Sequence, residues 1–287
     1  MEVELELKKT VDQNATIYYE KAKKAKKKLK GALATVETFE KKLINAKKEH
    51  ANKLEKIDAE HNKVKRKLYW FEKFRWFITS TGFLVIGGRD ATTNEVIIKK
   101  HTENEDLVFH TDMAGSPFFV IKKKSNPNKE IDQQTLLEVG DATCSFSRAW
   151  KNGIGTSSVF YVKPNQVTKE ANTGEYLTKG AFMIRGKTNY IDNNANLAIG
   201  LIKKNTTIMD IDFSGMIMCA PKNSIIHNCE EIFVEIKEGG TKASDIAKTV
   251  RKEFSNASPS IDDVVRILPS GGSDIVKRRK RKYELNK

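Results

Sequence analysis

At 287 residues, 39% hydrophobic and 31% charged, the chain is long enough for one sizeable core or two modest domains, and no apolar run nears the ~20 residues of a membrane span. Three scattered cysteines (Cys144, Cys219, Cys229) exclude a disulfide framework or a zinc site, and an acidic, alternating start excludes a signal peptide. The expectation is a cytoplasmic protein with no membrane partner and no metal. The net charge of +14 is uneven: residues 1–76 hold 21 Lys/Arg against 12 Asp/Glu, residues 77–220 hold 16 against 15, and residues 221–287 hold 14 against 10. Basic ends on a nearly neutral centre suit attraction to a phosphate backbone, although Lys-rich faces are also ordinary solvated surface.

Val3, Leu5 and Leu7 alternate with Glu2, Glu4 and Glu6, the period of a half-buried strand. From Val11 to Ala46 apolar or small residues recur at alternating steps of four and three, the seam of a coiled coil. After one extra step around His50 the seam resumes at Leu54, Ile57, His61, Val64, Leu68 and Phe71. No proline interrupts it, so one helix is expected from residue 12 to about 76, roughly 95 Å long at 1.5 Å per residue. Its stripe calls for a partner helix.

The segment KLYWFEKFRWF (67–77) is either an anchor for the globular part or a stacking surface for bases. A strand over 83–86, a turn at Gly87, Gly88, Arg89 and Asp90, and a second strand over 96–99 are expected next. The turn lacks the Lys-Ser/Thr ending of a phosphate-binding P-loop. LVFHTDMAGS (107–116) sets His110 and Asp112 at a strand end. That pair suits acid–base work or a hydrogen-bonded structural role; no nucleophile or second histidine stands at motif spacing. A strand over 118–121 leads to Lys122, Lys123 and Lys124 in a surface loop, then a helical stretch over 133–150 and a strand over 159–162. FMIRGK (182–187) reads as a strand delivering Arg185 and Lys187 to its end. Residues 229–236 suit a strand, 241–255 a helix with Thr241 as its N-cap, and 261–268 a shorter helix. The run Lys277, Arg278, Arg279, Lys280, Arg281 and Lys282 suits nucleic acid, a localisation signal or a solubilising tail.

In combination, YWFEKFRWFITSTGFLVIGGRDATTNEVIIKK (69–100), DLVFHTDMAGSP (106–117), TLLEVGDA with SRAW (135–150) and VTKEANTGEYLTKGAFMIRGK (167–187) resemble the NFACT-R domain. That domain belongs to the RqcH and NEMF family of ribosome quality-control factors. The TGEYL and FMIRGK stretches are closer to its archaeal and eukaryotic branch, and VDQNATIYYEKAKKAKKKL (11–29) is similar to the start of its second coiled-coil helix. The fold this implies is α+β: the end of a middle-domain strand (1–10), a long coiled-coil helix (11–76), a compact mixed α/β NFACT-R domain (77–220), a small C-terminal αβ extension (221–272) and a basic tail (273–287).

The resemblance implies binding to the large ribosomal subunit and to tRNA, in support of mRNA-independent tailing of stalled nascent chains, with the peptidyl-transferase chemistry left to the ribosome. The N-terminal half of the family pattern would be supplied in cis or by another chain. No cofactor and no active site of its own are implied. Candidate RNA contacts are Arg89, Lys99, Lys100, Arg148, Lys169, Arg185 and Lys187. Candidate positions that shape the motifs are Gly87, Gly88, Asp90, Asn94, His110, Asp112, Gly115, Trp150, Gly174, Glu175, Tyr176 and Gly186. The competing readings are a nucleotide or tRNA-ester hydrolase built on His110 and Asp112, and a coiled-coil scaffold for protein partners.

Overall fold

The computed structural model describes residues 4–61, 68–171, 174, 176–254 and 259–280, and only the backbone of 48–61, 279 and 280. The chain divides into two units, Met1–Lys67 and Leu68–Lys287. No described helix is long and apolar enough to cross a membrane.

The first unit is one helix, α1 (Val11–His61). Residues 4–10 form no strand. Asn14 explains why: its side chain accepts from the Glu6 amide at 2.9 Å and donates to the carbonyls of Glu6, Lys9 and Thr10. The segment is thereby folded back as a turn on the helix start, and backbone groups that a strand needs for a neighbour are satisfied locally. The seam positions Leu29, Val36, Phe39 and Leu43 are all more than half exposed. The seam residues from Leu54 to Val64 lie outside the residues whose side chains are described.

The helix does not run on to residue 76. Tyr69 is extended, Trp70–Lys73 is a single 3-10 turn, and β1 (Arg75–Ile78) begins at once. Phe71, Phe74 and Phe77 are fully buried in the second unit, so the apparent heptad continuation ends in core packing at Phe71, while Leu68 is 43% exposed. Burial of each ring contributes about 1.5–3 kcal/mol.

After β1 come β2 (Leu84–Gly87), α2 (Ala91–Lys100), β3 (Leu107–Thr111) and β4 (Phe119–Ile121). Then follow α3 (Gln133–Ser145), α4 (Arg148–Lys151), β5 (Val159–Val162), β6 (Val167–Thr168), β7 (Met183–Ile184) and β8 (Asn189–Ile191). Strands β1, β2, β4, β3, β5 and β8 form, in that order, a six-stranded antiparallel sheet. The expected strand over 96–99 is helix instead. Asp90 caps it by accepting from the Thr93 amide at 2.8 Å, the Thr93 hydroxyl accepts from the Asp90 amide at 2.9 Å, and Asn94 and Ile97 are the buried face. A reciprocal cap outweighs the β preference of a short Val-Ile-Ile run.

The chain continues through β9 (Leu197–Ile202), β10 (Thr207–Ile208), β11 (Ile211–Asp212), β12 (Ile217–Ala220), α5 (Lys222–Asn228), β13 (Cys229–Glu238), α6 (Ala243–Glu253), α7 (Ile261–Ile267) and β14 (Ser273–Lys280). A second antiparallel sheet has the order β12, β9, β13, β14. Its strands thus come from both sides of residue 220. The two sheets meet where the Ile78 amide donates to Met218 Sδ at 3.3 Å and the Asn228 amide donates to the carbonyls of Ile78 and Thr79 at 2.9 Å. Glu138 of α3 ties the same corner, accepting from the Ser80 amide and hydroxyl and from the Ser224 hydroxyl. One hydrophobic core runs through both sheets.

Two local expectations change. Lys242, with no side-chain capping bond, holds the N-cap position of α6, while the Thr241 hydroxyl donates to Asp274 at 2.7 Å. The basic run is not all tail: Lys277 to Lys280 belong to β14, paired with β13, and Arg278 Nε meets Glu253 at 2.8 Å. Residues 281 and 282 lie outside the described residues.

Candidate functional site

The turn at 87–90 is shaped by what it must pass. A Cβ on Gly87 would sit 2.3 Å from the Phe119 ring, and one on Gly88 would sit 1.7 Å from Asn94 Oδ1. Only glycine lets the backbone come so close. Asn94 is buried and works as a staple: its amide donates to the Ser116 carbonyl at 3.2 Å, and its carbonyl oxygen accepts from the Phe118 amide at 3.1 Å. Helix α2 is thus fixed to the turn that follows β3.

That turn is closed by its own hydroxyls. Thr111 Oγ1 donates to Ser116 Oγ at 2.6 Å, and Ser116 Oγ donates to the Met113 carbonyl at 2.8 Å. His110 Nε2 lies 3.2 Å from the Ser116 carbonyl, and its ring lies on Phe118 with centroids 4.1 Å apart. Asp112 points elsewhere, to the exposed Tyr190 hydroxyl at 3.2 Å. The two side chains therefore do not form a hydrogen-bonded pair. Gly115 has φ of +80°, and the Arg148 guanidinium lies within 2.9 Å of where its Cβ would be.

These pieces enclose a cleft of about 390 Å³. One wall is the 88–91 turn with Asn94, and the floor is His110 with residues 114–118. Phe146 to Arg148 and Lys151 make the opposite wall, and residues 178–182 with Ile184 the third. Phe182 meets Phe118 edge-on at 5.5 Å. Gly180, with φ of +79°, packs so closely on α2 that a Cβ would lie 2.5 Å from Ala91 Cα.

The cleft is strongly positive. Arg148, Lys151 and Lys179 are exposed at its mouth, and none forms a hydrogen bond or ion pair with another described residue. Behind them Arg89 donates to the Phe74 carbonyl at 2.8 Å, while its buried Nε has no partner. Arg75 donates to the Leu268 carbonyl at 2.8 Å and to Ser270 Oγ at 3.0 Å, over the ring of Phe146. Burial lowers both guanidinium pKa values to about 10, assisted by Arg89 on Arg75 and by Arg266 on Arg89, so both stay charged at neutral pH. The single carboxylate on the lining, Asp90, is held below its ordinary range by its Thr93 amide bond.

Of the seven expected phosphate contacts, Arg148 and Arg89 reach this cleft, the second with its guanidinium engaged by the chain's own carbonyls. Lys99 pairs with Glu95 at 2.6 Å. Lys169 donates to the carbonyls of Thr178 and Ala181 and lies 4.9 Å over the Phe182 ring. Arg185 donates to the Glu170 carbonyl at 3.2 Å, whereas Lys100 and Lys187 are exposed. Gly87, Gly88, Asp90, Asn94, His110 and Gly115 converge on the cleft or its walls. Trp150 is buried, with Nε1 donating to the Gly272 carbonyl at 3.1 Å. Gly174 and Gly186 have φ of +87° and +80°, and Tyr176 is 87% exposed. Glu175 lies outside the described residues. Sequence reading missed Lys151 and Lys179. The available signals were the single helical turn from Arg148 to Lys151 and a lysine set directly before a tightly packed glycine.

Burial also lowers the pKa of His110, and of His101, which stacks on Trp70 at 4.9 Å and is further disfavoured as a cation chiefly by Lys73. Both bind a proton less readily folded than unfolded. Their stabilisation is full above the unfolded value of about 6.5 and falls as the pH drops through it towards the folded values. Urea midpoints are expected to decline below about pH 6.5, and His101→Gln with His110→Gln to flatten that decline. An unchanged slope in the double variant rules this out.

Residues 73–186 match the family model described as the NFACT protein RNA binding domain. The archaeal Rqc2 homolog aRqcH of Methanocaldococcus jannaschii is 40% identical over 217 residues, 75% of this chain and 31% of that protein. The ribosome quality control complex subunit NEMF homolog of Drosophila melanogaster is 40% identical over 200 residues, 69% of this chain and 20% of that protein. Subunit NEMF of Homo sapiens is 43% identical over 180 residues, 62% and 16% respectively. The chain thus spans between about a sixth and a third of the length of these curated relatives.

Proposed function

This chain belongs to the NFACT family through its RNA-binding domain, and from that premise we propose that it is the RNA-gripping portion of a ribosome quality-control factor. It binds the large ribosomal subunit and tRNA at stalled peptidyl-tRNA complexes and supports mRNA-independent extension of the nascent chain. The observation that carries this reading is the cleft, where Arg148, Lys151 and Lys179 stand exposed beside aromatic rings and only Lys179 faces a carboxylate, that of Asp90. Exposed cations beside π-faces are what single-stranded RNA engages, phosphates on the charges and bases on the rings. Of the expected contact set, Arg148, Lys100 and Lys187 are the exposed cations free to reach phosphates, with the lysines of α1 adding sequence-independent attraction.

The peptidyl-transfer chemistry stays with the ribosome. The structural role of His110 is to hold the 111–116 turn in place, and that of Asn94 is to hold the turn against α2. The test is sedimentation of the purified chain with split large subunits, with and without tRNA, over a salt series. Co-sedimentation that strengthens with tRNA and weakens steeply with salt is expected, since each phosphate contact releases counterions. Salt-insensitive binding would point to a protein partner and sink the proposal.

A further inference from the structure

We infer that the cleft is a receptor for one unpaired RNA nucleotide, with its base against the partly exposed rings of His110 and Phe182 and its phosphate near Arg148, Lys151 and Lys179. The inference rests on the RNA-binding reading and names what the site takes.

Four observations converge. First, Ala114, Gly115 and Ser116 line the cleft, and their main-chain amides donate to no other described residue. Gly115 is in the left-handed region, and successive free amides around such a residue form a concavity that cradles an anion. Second, the Arg148 guanidinium lies directly over Gly115, so a fork of charged donors and a row of neutral donors serve the same spot. Third, the lining also carries two partly exposed rings, His110 and Phe182, each packed against the buried Phe118. A free phosphate makes no use of these two rings, whereas a base packs against them. Fourth, the volume of about 390 Å³ lies near the lower end of the roughly 300–1,000 Å³ typical of small-molecule clefts, and suits one nucleotide.

The enclosure also sets the form of RNA. In an A-form duplex the bases are stacked and paired, so none is free to enter the cleft. Only a nucleotide in a loop, a bulge or a free end can be turned out into it. Base identity matters little here, because the Asn94 amide is already engaged at both ends and every base has a π-face. Recognition is therefore of an unpaired nucleotide, not of a sequence.

The test uses the full chain in two titrations. Calorimetry with adenosine 5′-monophosphate is expected to give saturable binding, with adenosine and inorganic phosphate each weaker by about tenfold or more. Fluorescence anisotropy at low salt is expected to show a short single strand preferred over a blunt duplex, with the mononucleotide competing for the single strand. Arg148→Ala, at an exposed position that leaves the fold intact, is expected to weaken the mononucleotide by about tenfold. Lys179→Ala should act in the same direction, with unchanged thermal midpoints in both.

Phosphate binding as tightly as the mononucleotide would make the cleft an anion site and overturn the inference. So would single strand and duplex bound equally without competition by the mononucleotide; in that case RNA binding itself stands. Capture of neither RNA at low salt overturns the RNA-binding reading and the inference together. Mononucleotide capture without RNA capture does the same, because the cleft would then serve a free nucleotide.

Discussion

A Lys122→Met variant is expected to lose about 3–5 kcal/mol of stability, the usual effect of removing one partner from a buried ion pair. Lys122 is 1% exposed, and its ammonium meets the equally buried Asp106 carboxylate, donates to the His101 carbonyl at 2.7 Å and stands 3.6 Å from Glu103. Asp106 accepts in turn from the Glu103 amide at 2.8 Å and the Lys123 amide at 2.9 Å. These bonds tie the end of α2, the entry to β3 and the exit from β4 into one knot. With methionine at 122 the carboxylate keeps two amide donors but loses its counter-charge in a site closed to water. For a unit of this size each kcal/mol lowers the melting temperature by about 2–4 °C, so thermal and urea denaturation both read the effect. Lys123→Met and Lys124→Met are the controls. Lys123 donates to the carbonyls of Pro127 and Lys129 in an exposed loop, and Lys124 pairs with Glu103 where both are half exposed. Either should cost at most about 1 kcal/mol. Three equal losses, or none, would refute the knot.

The three consecutive lysines also mark where sequence reading reaches its limit. Lys122, Lys123 and Lys124 are identical in type and look like one surface run, and nothing local separates the first from its neighbours. Its fate depends on Asp106, sixteen residues away and brought adjacent by the pairing of β3 with β4. The same reason hid the engagement of Lys169 and Arg89, whose partners are main-chain carbonyls positioned by tertiary folding. What could be read was whatever a local rule decides. The period of four and three gave α1, apolar runs gave β2, β3 and β5, and the Gly-Gly turn was visible because glycine is its own signal. The strand expected over 96–99 failed because the reciprocal cap of Asp90 and Thr93 outweighs three β-branched residues. The cleft emerged only in part. Gly88, Asp90, Asn94, His110, Gly115 and Arg148 could be picked out through the resemblance, but as separate motifs along the chain, and their convergence is a property of the sheet order.

Replacing Arg148, Lys151 and Lys179 together by alanine is expected to reduce affinity for single-stranded RNA by about a hundredfold at moderate salt. It should also lower the steepness of the log affinity against log salt line by about 2, since each single-strand phosphate contact contributes about 0.7 to that slope. All three side chains are exposed and form no hydrogen bond or ion pair with a described residue, although Lys179 faces Asp90, so unchanged thermal midpoints are the control that the change reports on binding. A matching removal of Lys99 and Lys169 is the informative contrast. Lys99 is already paired with Glu95, and Lys169 closes the 178–182 loop, so their loss should act on the loop and only weakly on the salt slope. If affinity falls while the slope is unchanged, the three cations do not touch phosphates and the contact account is wrong.

The closure of the second sheet by β14 has a consequence for what counts as a module. The stretch that matches the RNA-binding family model ends at residue 186, yet the walls of the cleft are braced by chain that arrives much later. Arg75 is anchored on Leu268 and Ser270, Trp150 on Gly272, and Glu138 on Ser224. A gene fragment cut at the edge of the recognisable motif would therefore carry every candidate residue but Lys187 and still lack the masonry behind them. Evolution could reshuffle this recognition surface only by moving some two hundred residues as a block (Leu68 to Lys280), which makes the domain hard to graft and its shape hard to erode piecemeal.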